Sequence, residues 1–229
     1  MKYQIPNTYK YETHFHTAET SPCGRVPARQ AVRLYKEAGY KGIIVTDHYF
    51  RGFFDMQLWR SYNRKIDKYL KGYKLALAEG IKLGIDIHLG MEIRFEENSN
   101  DYLVYGIDEE FLRKHENLYA LTLKQFRELT AGRGIVIIQA HPFRPEMVPA
   151  LQTLIDGVEV YNANPRHDSS NHLALKYAQD NNLIGLSGSD FHRPQDAFRG
   201  GILTNEVIPE NGFAELIMQN KKFECIRTT

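Results

Sequence analysis

Short, continuously apolar runs rich in β-branched residues alternate along this chain with longer stretches patterned at helical spacing. Gly42-Ile43-Ile44-Val45-Thr46 and Ile135-Val136-Ile137-Ile138-Gln139-Ala140 are the clearest runs. Unbroken rather than alternating hydrophobicity predicts strands covered on both faces, as in a parallel sheet. Gly157–Tyr161 and Leu183–Leu186 repeat the pattern, and further strands are expected at the end of the segment before His14, around Ile87–Phe95 and over Tyr102–Tyr105. Between them, Val32, Leu34, Tyr35 and Ala38 predict a helix over Pro27–Ala38, with Pro27 at its first position and Gly39 as its stop. Residues 57–83 read as one long helix or two, weakened at Gly72 and Gly80. Residues 109–129 read as helical with a break near Leu121, and a last helix runs over Ser170–Gln179.

No repeat, low-complexity tract or linker divides the chain, so residues 1–229 are expected to form one α/β domain. About seven strand–helix units favour a closed or nearly closed TIM-like barrel. An open doubly wound sheet is the competing architecture, but no glycine-rich phosphate loop follows the first strand. The length suffices for a real core, since roughly 70% of the surface is buried at this size. With 29 Lys+Arg against 28 Asp+Glu, the formal charge of +1 disfavours a general polyanion binder. Cys23 and Cys225 form no disulfide framework, no run reaches the ~18 apolar residues of a membrane helix, and Met1–Pro6 lacks the apolar stretch of a signal peptide. A cytoplasmic protein is the expectation.

Five of the nine histidines fall at the ends of expected strands: His14 and His16, His48, His141, and His192. Residues two apart on a strand share a face, so His14 can converge with His16, and Asp190 with His192. The C-terminal ends of parallel barrel strands meet at one rim, where this architecture builds its sites. Neutral imidazoles mixed with carboxylates suit zinc, manganese or iron. His88, His115, His167 and His172 lack that setting, although His167 lies in a loop where it could touch a substrate.

The set His14-Phe15-His16-Thr17, Thr46-Asp47-His48, Gly90-Met91-Glu92, His141-Pro142-Phe143 and Gly188-Ser189-Asp190-Phe191-His192 resembles the PHP (polymerase and histidinol phosphatase) superfamily. The resemblance spans residues 14 to 192, with the motifs in the family's order. It implies a distorted (β/α)7 barrel, two or three divalent metals (zinc, manganese or iron) and phosphoester hydrolysis by a metal-activated hydroxide. Carried over by position, His14, His16, Glu92 and Asp190 would hold one metal, Glu92 would bridge to a second held with His141, and His48 and His192 would hold a third. Glu92, Asp190 and His192 are the expected catalytic groups. Two places depart from the family pattern. Asp101 stands where many members have a histidine, and it reads equally as a ligand or as a strand-start residue. The residue before the motif-one glycine, often Asp or His, is here Cys23; Glu19 is the favoured substitute ligand and Cys23 its rival.

Arg25, Arg51, Arg144, Arg166 and Arg193 lie near motif residues, and guanidinium groups suit phosphate recognition. Arg25, Arg144 and Arg193 are the expected substrate contacts, and Glu159 and Asn162 the expected supports behind the metals. A small phosphate monoester, histidinol-phosphate-like or nucleotide-like, is the leading substrate class. The alternative is a nuclease acting on oligonucleotide ends, with Tyr49, Phe50, Phe53, Phe54 and Trp59 as stacking groups. C–N hydrolysis and a structural, non-catalytic module are further classes. The oligomeric state is open.

Overall fold

The computed structural model describes residues 8–209, 212–219 and 223–228; the reading of Met1–Pro6 lies outside them. Ten strands form one sheet: β1 Tyr9–Phe15, β2 Tyr40–Val45, β3 His48–Tyr49, β4 Asp86–Arg94, β5 Asp101–Tyr105, β6 Val136–Gln139, β7 Gly157–Asn162, β8 Ile184–Gly188, β9 Ile202–Thr204 and β10 Phe223–Cys225. The helices are α1 Ala28–Glu37, α2 Arg51–Asp55, α3 Tyr62–Tyr69, α4 Lys71–Leu83, α5 Glu109–Lys114, α6 Leu123–Thr130, α7 Asn171–Asp180 and α8 Phe213–Met218. The strand order is β10-β9-β1-β2-β4-β5-β6-β7-β8, with β3 paired to β4. The sheet curls until β1 meets the segment after β8. There His16 N–H donates to the Phe191 carbonyl and Phe191 N–H to the His14 carbonyl, both at 3.1 Å. That seam nearly closes the barrel, a distorted TIM-like form.

The expectation of a wholly parallel sheet needs correction. β5 runs antiparallel to both β4 and β6, and β9 runs antiparallel to β1 and β10. The link from Arg94 to Asp101 is too short for a parallel crossover, which needs a dozen or more residues. The stretch 57–83 resolves into two helices, α3 and α4, which meet at Leu70 close to Gly72; α4 runs through Gly80 and stops at Gly84 in the left-handed region (φ 64°). The break in 109–129 is real, with Leu121 between α5 and the capping box of Thr122 and Gln125 that starts α6.

Three apolar clusters fill the structure. Tyr11, Ile44, Leu103, Tyr105, Ile138 and Leu186 pack with Phe213 and Leu216 of α8. Phe15, Val32, Tyr35, Ile43, Ala76 and Phe191 form a second cluster beneath α1 and α4, and Tyr49, Phe54, Tyr69, Ile93 and Phe126 belong to the third. Tyr49, Phe53 and Phe54, offered above as stacking groups for bases, are therefore core residues, at most 3% exposed; Trp59 is exposed. Among the described residues no helix is long and apolar enough to cross a membrane.

Candidate metal centre

Alternation across the barrel seam aims the chemistry inward. Phe15 and Phe191 stack face to face (centroids 4.9 Å apart, 6° between planes) in the cluster beneath α1. Their neighbours His14, His16, Asp190 and His192 consequently point the other way, into the rim. β1 slips its register against β2 between Glu12 and Phe15, and β7 against β8 between Glu159 and Tyr161. Such irregularities commonly re-aim side chains beside functional sites. His141 (φ 31°) and Asp190 (φ 49°) are held in the left-handed region, which few non-glycine residues adopt and which histidine and aspartate enter more readily than most.

Glu92, 1% exposed at the end of β4, is the hub. One carboxylate oxygen, Oε1, faces His14 Nε2 at 3.2 Å and His141 Nε2 at 3.4 Å. The other, Oε2, faces His48 Nδ1 at 2.7 Å and His16 Nε2 at 3.2 Å. Asp190 Oδ1 approaches His14 Nε2 at 3.5 Å, His16 Nε2 at 3.7 Å and His192 Nδ1 at 3.3 Å. Among the described residues, three groups of donor atoms, each mutually within 4.8 Å, emerge: His14, His16 and Glu92; Glu92, Asp101 and His141; His16, His48 and His192. Glu92 and His16 each belong to two groups, so the three positions adjoin.

The groups behind these side chains fix which atom each can offer. His14 Nδ1 lies 3.0 Å from Glu159 Oε1, so its Nδ1–H donates there and Nε2 is the atom left to offer a cation. Glu159 is held in turn by His141 N–H (3.1 Å) and Asn162 Nδ2 (2.8 Å). His16 Nδ1 faces Ser21 Oγ at 3.1 Å, and the Ser21 hydroxyl donates to Asp47 at 2.6 Å. His192 Nδ1 is tied to the Asp190 carbonyl at 2.9 Å. Asp47 and Ser21 were not singled out from the sequence; their link to His16 exists only in the folded turn.

Electrostatics sharpen the picture. Burial alone would neutralise Glu92 and Asp190, but His48 and His14 hold Glu92, and His14, His192 and Arg144 hold Asp190, well below the usual carboxylate range. Burial opposes charge on His14 too, yet Glu159, Glu92 and Asp190 raise its pKa well above the ordinary value; Glu92 does the same for His48. His16 goes the other way, lowered by burial and by the His192 and His48 charges. Burial lifts Asp47 to about 6 against the hydrogen bonds from Ser21 and Thr17. His14 Nε2, His16 Nε2 and both Glu92 oxygens are buried without a hydrogen bond. Polar atoms this deep are normally satisfied, and lone pairs of imidazole and carboxylate left facing one another fit divalent cations.

Other expected residues are placed differently. The Glu19 carboxylate accepts from Ala28 N–H (3.0 Å) at the positive N-terminal end of α1, not in the cluster, which corrects the preference for it as a ligand. Cys23 comes to the rim instead: burial disfavours its thiolate, but hydrogen bonds with His192 and His48 prevail and bring the thiol down to about 6. Asp101 joins Glu92 and His141 while receiving a bidentate grip from Arg94 (2.8 and 2.6 Å). A cavity of about 270 Å³ opens above the centre, lined by Arg94, Arg144, Arg166, His167, Asn164 and the outer ligands. Arg144 bonds Asp190 at 2.9 Å, and Arg166 pairs with buried Asp196. Arg25 and Arg193 are exposed and do not line it, so of the three expected substrate arginines only Arg144 stands there. Arg94 was missed because nothing in Glu92-Ile93-Arg94 says that β4 ends at this cavity.

Solved structures with the same fold exist at low sequence identity. PsfC from Pseudomonas syringae PB-5123 superposes with a TM-score of 0.67 at 18% identity, covering 97% of this chain and 93% of that one. A two-domain protein of Bacteroides vulgatus ATCC 8482, described as containing a predicted PHP-like metal-dependent phosphoesterase, gives 0.64 at 19%, covering 96% of this chain; the chain spans 65% of that protein. An amidohydrolase from Chromobacterium violaceum, solved with sulfate and no metal, gives 0.54 at 16%, covering 81% of this chain and 88% of that one. No curated protein matches the sequence. A family model for the PHP domain matches residues 12–221, and the chain belongs to the PHP domain family.

Proposed function

We propose that this protein is a metal-dependent phosphoesterase that hydrolyses a small phosphate monoester. The observation that carries the reading is Glu92: a fully buried carboxylate whose two oxygens face four imidazoles and make no hydrogen bond. His14, His16, Glu92 and Asp190 would hold one cation, Glu92 and His141 with Asp101 a second, and His48 and His192 a third. When bound, such cations supply Lewis acidity toward phosphoryl oxygens and a water acidic enough to attack near neutral pH. The protein's own part is positioning. Glu159 fixes the His14 ring through Nδ1, Ser21 and Asp47 fix His16, and Arg144 holds Asp190 while lining the substrate cavity. Arg94 and Arg166 add positive charge at the same wall, which suits a phosphate better than a neutral amide.

Two features favour a small ester over nucleic acid. The cavity is near the lower end of small-ligand sites, roughly 300 Å³ and upward, and three of the five aromatics expected to stack bases, Tyr49, Phe53 and Phe54, are core. The test compares p-nitrophenyl phosphate, histidinol phosphate and nucleoside monophosphates with a single-stranded oligonucleotide at low and moderate salt. Monoesters should be preferred, with a shallow salt dependence. An oligonucleotide preferred by orders of magnitude in kcat/KM, with steeply salt-dependent binding, would replace this reading with the nuclease.

A further inference from the structure

One wall of the substrate cavity is held by a carboxylate that does not line it. Asp196 is fully buried, at the end of the short turn Pro194–Asp196 that follows His192. Its Oδ2 accepts the backbone N–H of His192 at 3.0 Å, that of Arg193 at 2.9 Å and the Arg166 Nη2 at 2.9 Å. Its Oδ1 accepts the Arg166 Nε at 3.2 Å. Arg166 lines the cavity, so one carboxylate joins a cavity arginine to the backbone of a residue in the metal cluster.

The guanidinium is thereby set in direction as well as in charge. Nε and Nη2 are committed to Asp196, and among the described residues Nη1 has no partner, which leaves that edge for a ligand. The backbone beneath it is tied to the same segment. Arg166 N–H donates to Asn164 Oδ1 at 3.0 Å, and Asn164 Nδ2 donates at 3.0 Å to the Asp190 carbonyl, which His192 Nδ1 also meets at 2.9 Å. An arginine side chain only 27% exposed and gripped at two nitrogens has little freedom left to lose, so the cost of ordering it falls on folding rather than on binding.

We propose that Asp196 is a positioning residue, which presents Arg166 to the phosphate of the substrate in a fixed relation to His192. The inference rests on the phosphoesterase reading above and extends it to how the phosphate is held. Charge and positioning predict opposite signs here. By charge alone, a buried carboxylate beside an anion site repels phosphate, and neutralising it should tighten binding. If its work is to aim Arg166, neutralising it should loosen binding, because a bidentate grip is lost.

Asp196→Asn separates the two. With its one oxygen turned toward the N–H groups of His192 and Arg193, the amide presents a donor to Arg166 Nε, so the backbone ties survive and the fork is released. Calorimetry of inorganic phosphate binding to zinc-loaded protein should show affinity falling about tenfold, the scale of one hydrogen bond to a charged group. KM for p-nitrophenyl phosphate should rise more than kcat falls, with zinc content by elemental analysis unchanged. Arg166→Lys, which keeps the charge without the fork, should behave alike. In Arg166→Met protein, adding Asp196→Asn should no longer weaken phosphate, as expected of a residue that acts through another. Phosphate bound by Asp196→Asn as tightly as by the parent or more so, weakened by the same factor without Arg166, or weakened only together with loss of zinc, would overturn the assignment. Binding is read without turnover. A parent that hydrolyses monoesters while these variants bind phosphate as it does removes the positioning role alone; a parent that binds phosphate in this Arg166-dependent way but hydrolyses no monoester removes the catalytic reading alone.

Discussion

Glu12 Oε1 accepts the backbone N–H of Ser189 at 2.9 Å, joining residues 177 positions apart across the barrel seam. The same oxygen accepts from Thr13 and His14 N–H, both at 3.0 Å, and Oε2 accepts the Tyr35 hydroxyl at 2.8 Å. One fully buried carboxylate therefore holds together the strand that carries His14 and the segment that carries Asp190. Burial raises its pKa, and these hydrogen bonds partly offset that.

Glu12→Ala should destabilise the protein strongly. It leaves three backbone N–H groups and a hydroxyl unpaired in a dry seam, each costing ~1–3 kcal/mol, less what is regained by not burying a carboxyl. A net loss of about 3 kcal/mol is expected in denaturant unfolding, with Glu12→Gln milder because an oxygen acceptor remains. An alanine variant as stable as the parent would mean that the seam does not depend on Glu12.

Gly188→Ala tests how tightly the His14 ring is set. A Cβ there would stand 2.4 Å from His14 Cβ and 2.9 Å from Glu159 Oε1, and neither neighbour can yield without giving up the other. Overpacking of this kind costs about 1–3 kcal/mol. The larger expected effect is on metal: bound zinc, by elemental analysis, should fall while circular dichroism shows the fold retained. Full metal content would show that the His14–Glu159 pair has slack.

Glu92 and His88 form a matched pair of tests because both lie on one face of β4, at opposite ends of the strand. His88 is buried beside Tyr11, with ring centroids 6.1 Å apart, away from the cluster. Glu92→Gln should cost more activity than the roughly 10–100-fold that follows loss of a group behind a metal ligand. His88→Gln should change kcat/KM little in folded protein. Equal losses would place the centre elsewhere.

Much of this arrangement could be read along the chain, and the failures share a cause. Residues close in sequence carry their geometry with them: His14 with His16, and Asp190 with His192, need only a strand's alternation to converge. The apolar runs announced β2, β6, β7 and β8, but a run such as Tyr102–Tyr105 is equally apolar in either direction. Only the short connection from Arg94 to Asp101 betrays that β5 turns back. Glu12, Asp47 and Arg94 were silent because their partners are brought by the fold. Glu19 and Cys23 were separable only once the turn between Thr17 and Gly24 sent one carboxylate to α1 and the sulfur to the rim.

The pH dependence of the centre should invert when metal is removed. In chelator-treated protein, His14 and His48 have pKa values raised above the ordinary ~6.5 by Glu159 and Glu92. A raised histidine contributes stability in full below its unfolded pKa and loses it as pH climbs through the folded value. Glu92 and Asp190, held low, contribute above the unfolded carboxylate range and lose that as pH falls through their folded values. His16, held low by burial, adds stability that grows up to its ordinary ~6.5, so the chelated protein should be most stable near pH 6.5, and its Tm should decline toward pH 8 as the His14 and His48 contributions are lost. Zinc binding must displace the His14 and His48 protons, so it should release protons near neutrality and tighten as pH rises. The zinc-loaded Tm should then climb relative to the chelated one over the same interval. Thermal scans from pH 6.5 to pH 8, with and without zinc, read both curves, and Cys23→Ser removes the thiol whose lowered pKa of about 6 works the other way; a chelated Cys23→Ser protein whose Tm rises across that interval would show that His14 and His48 are not held charged by these carboxylates.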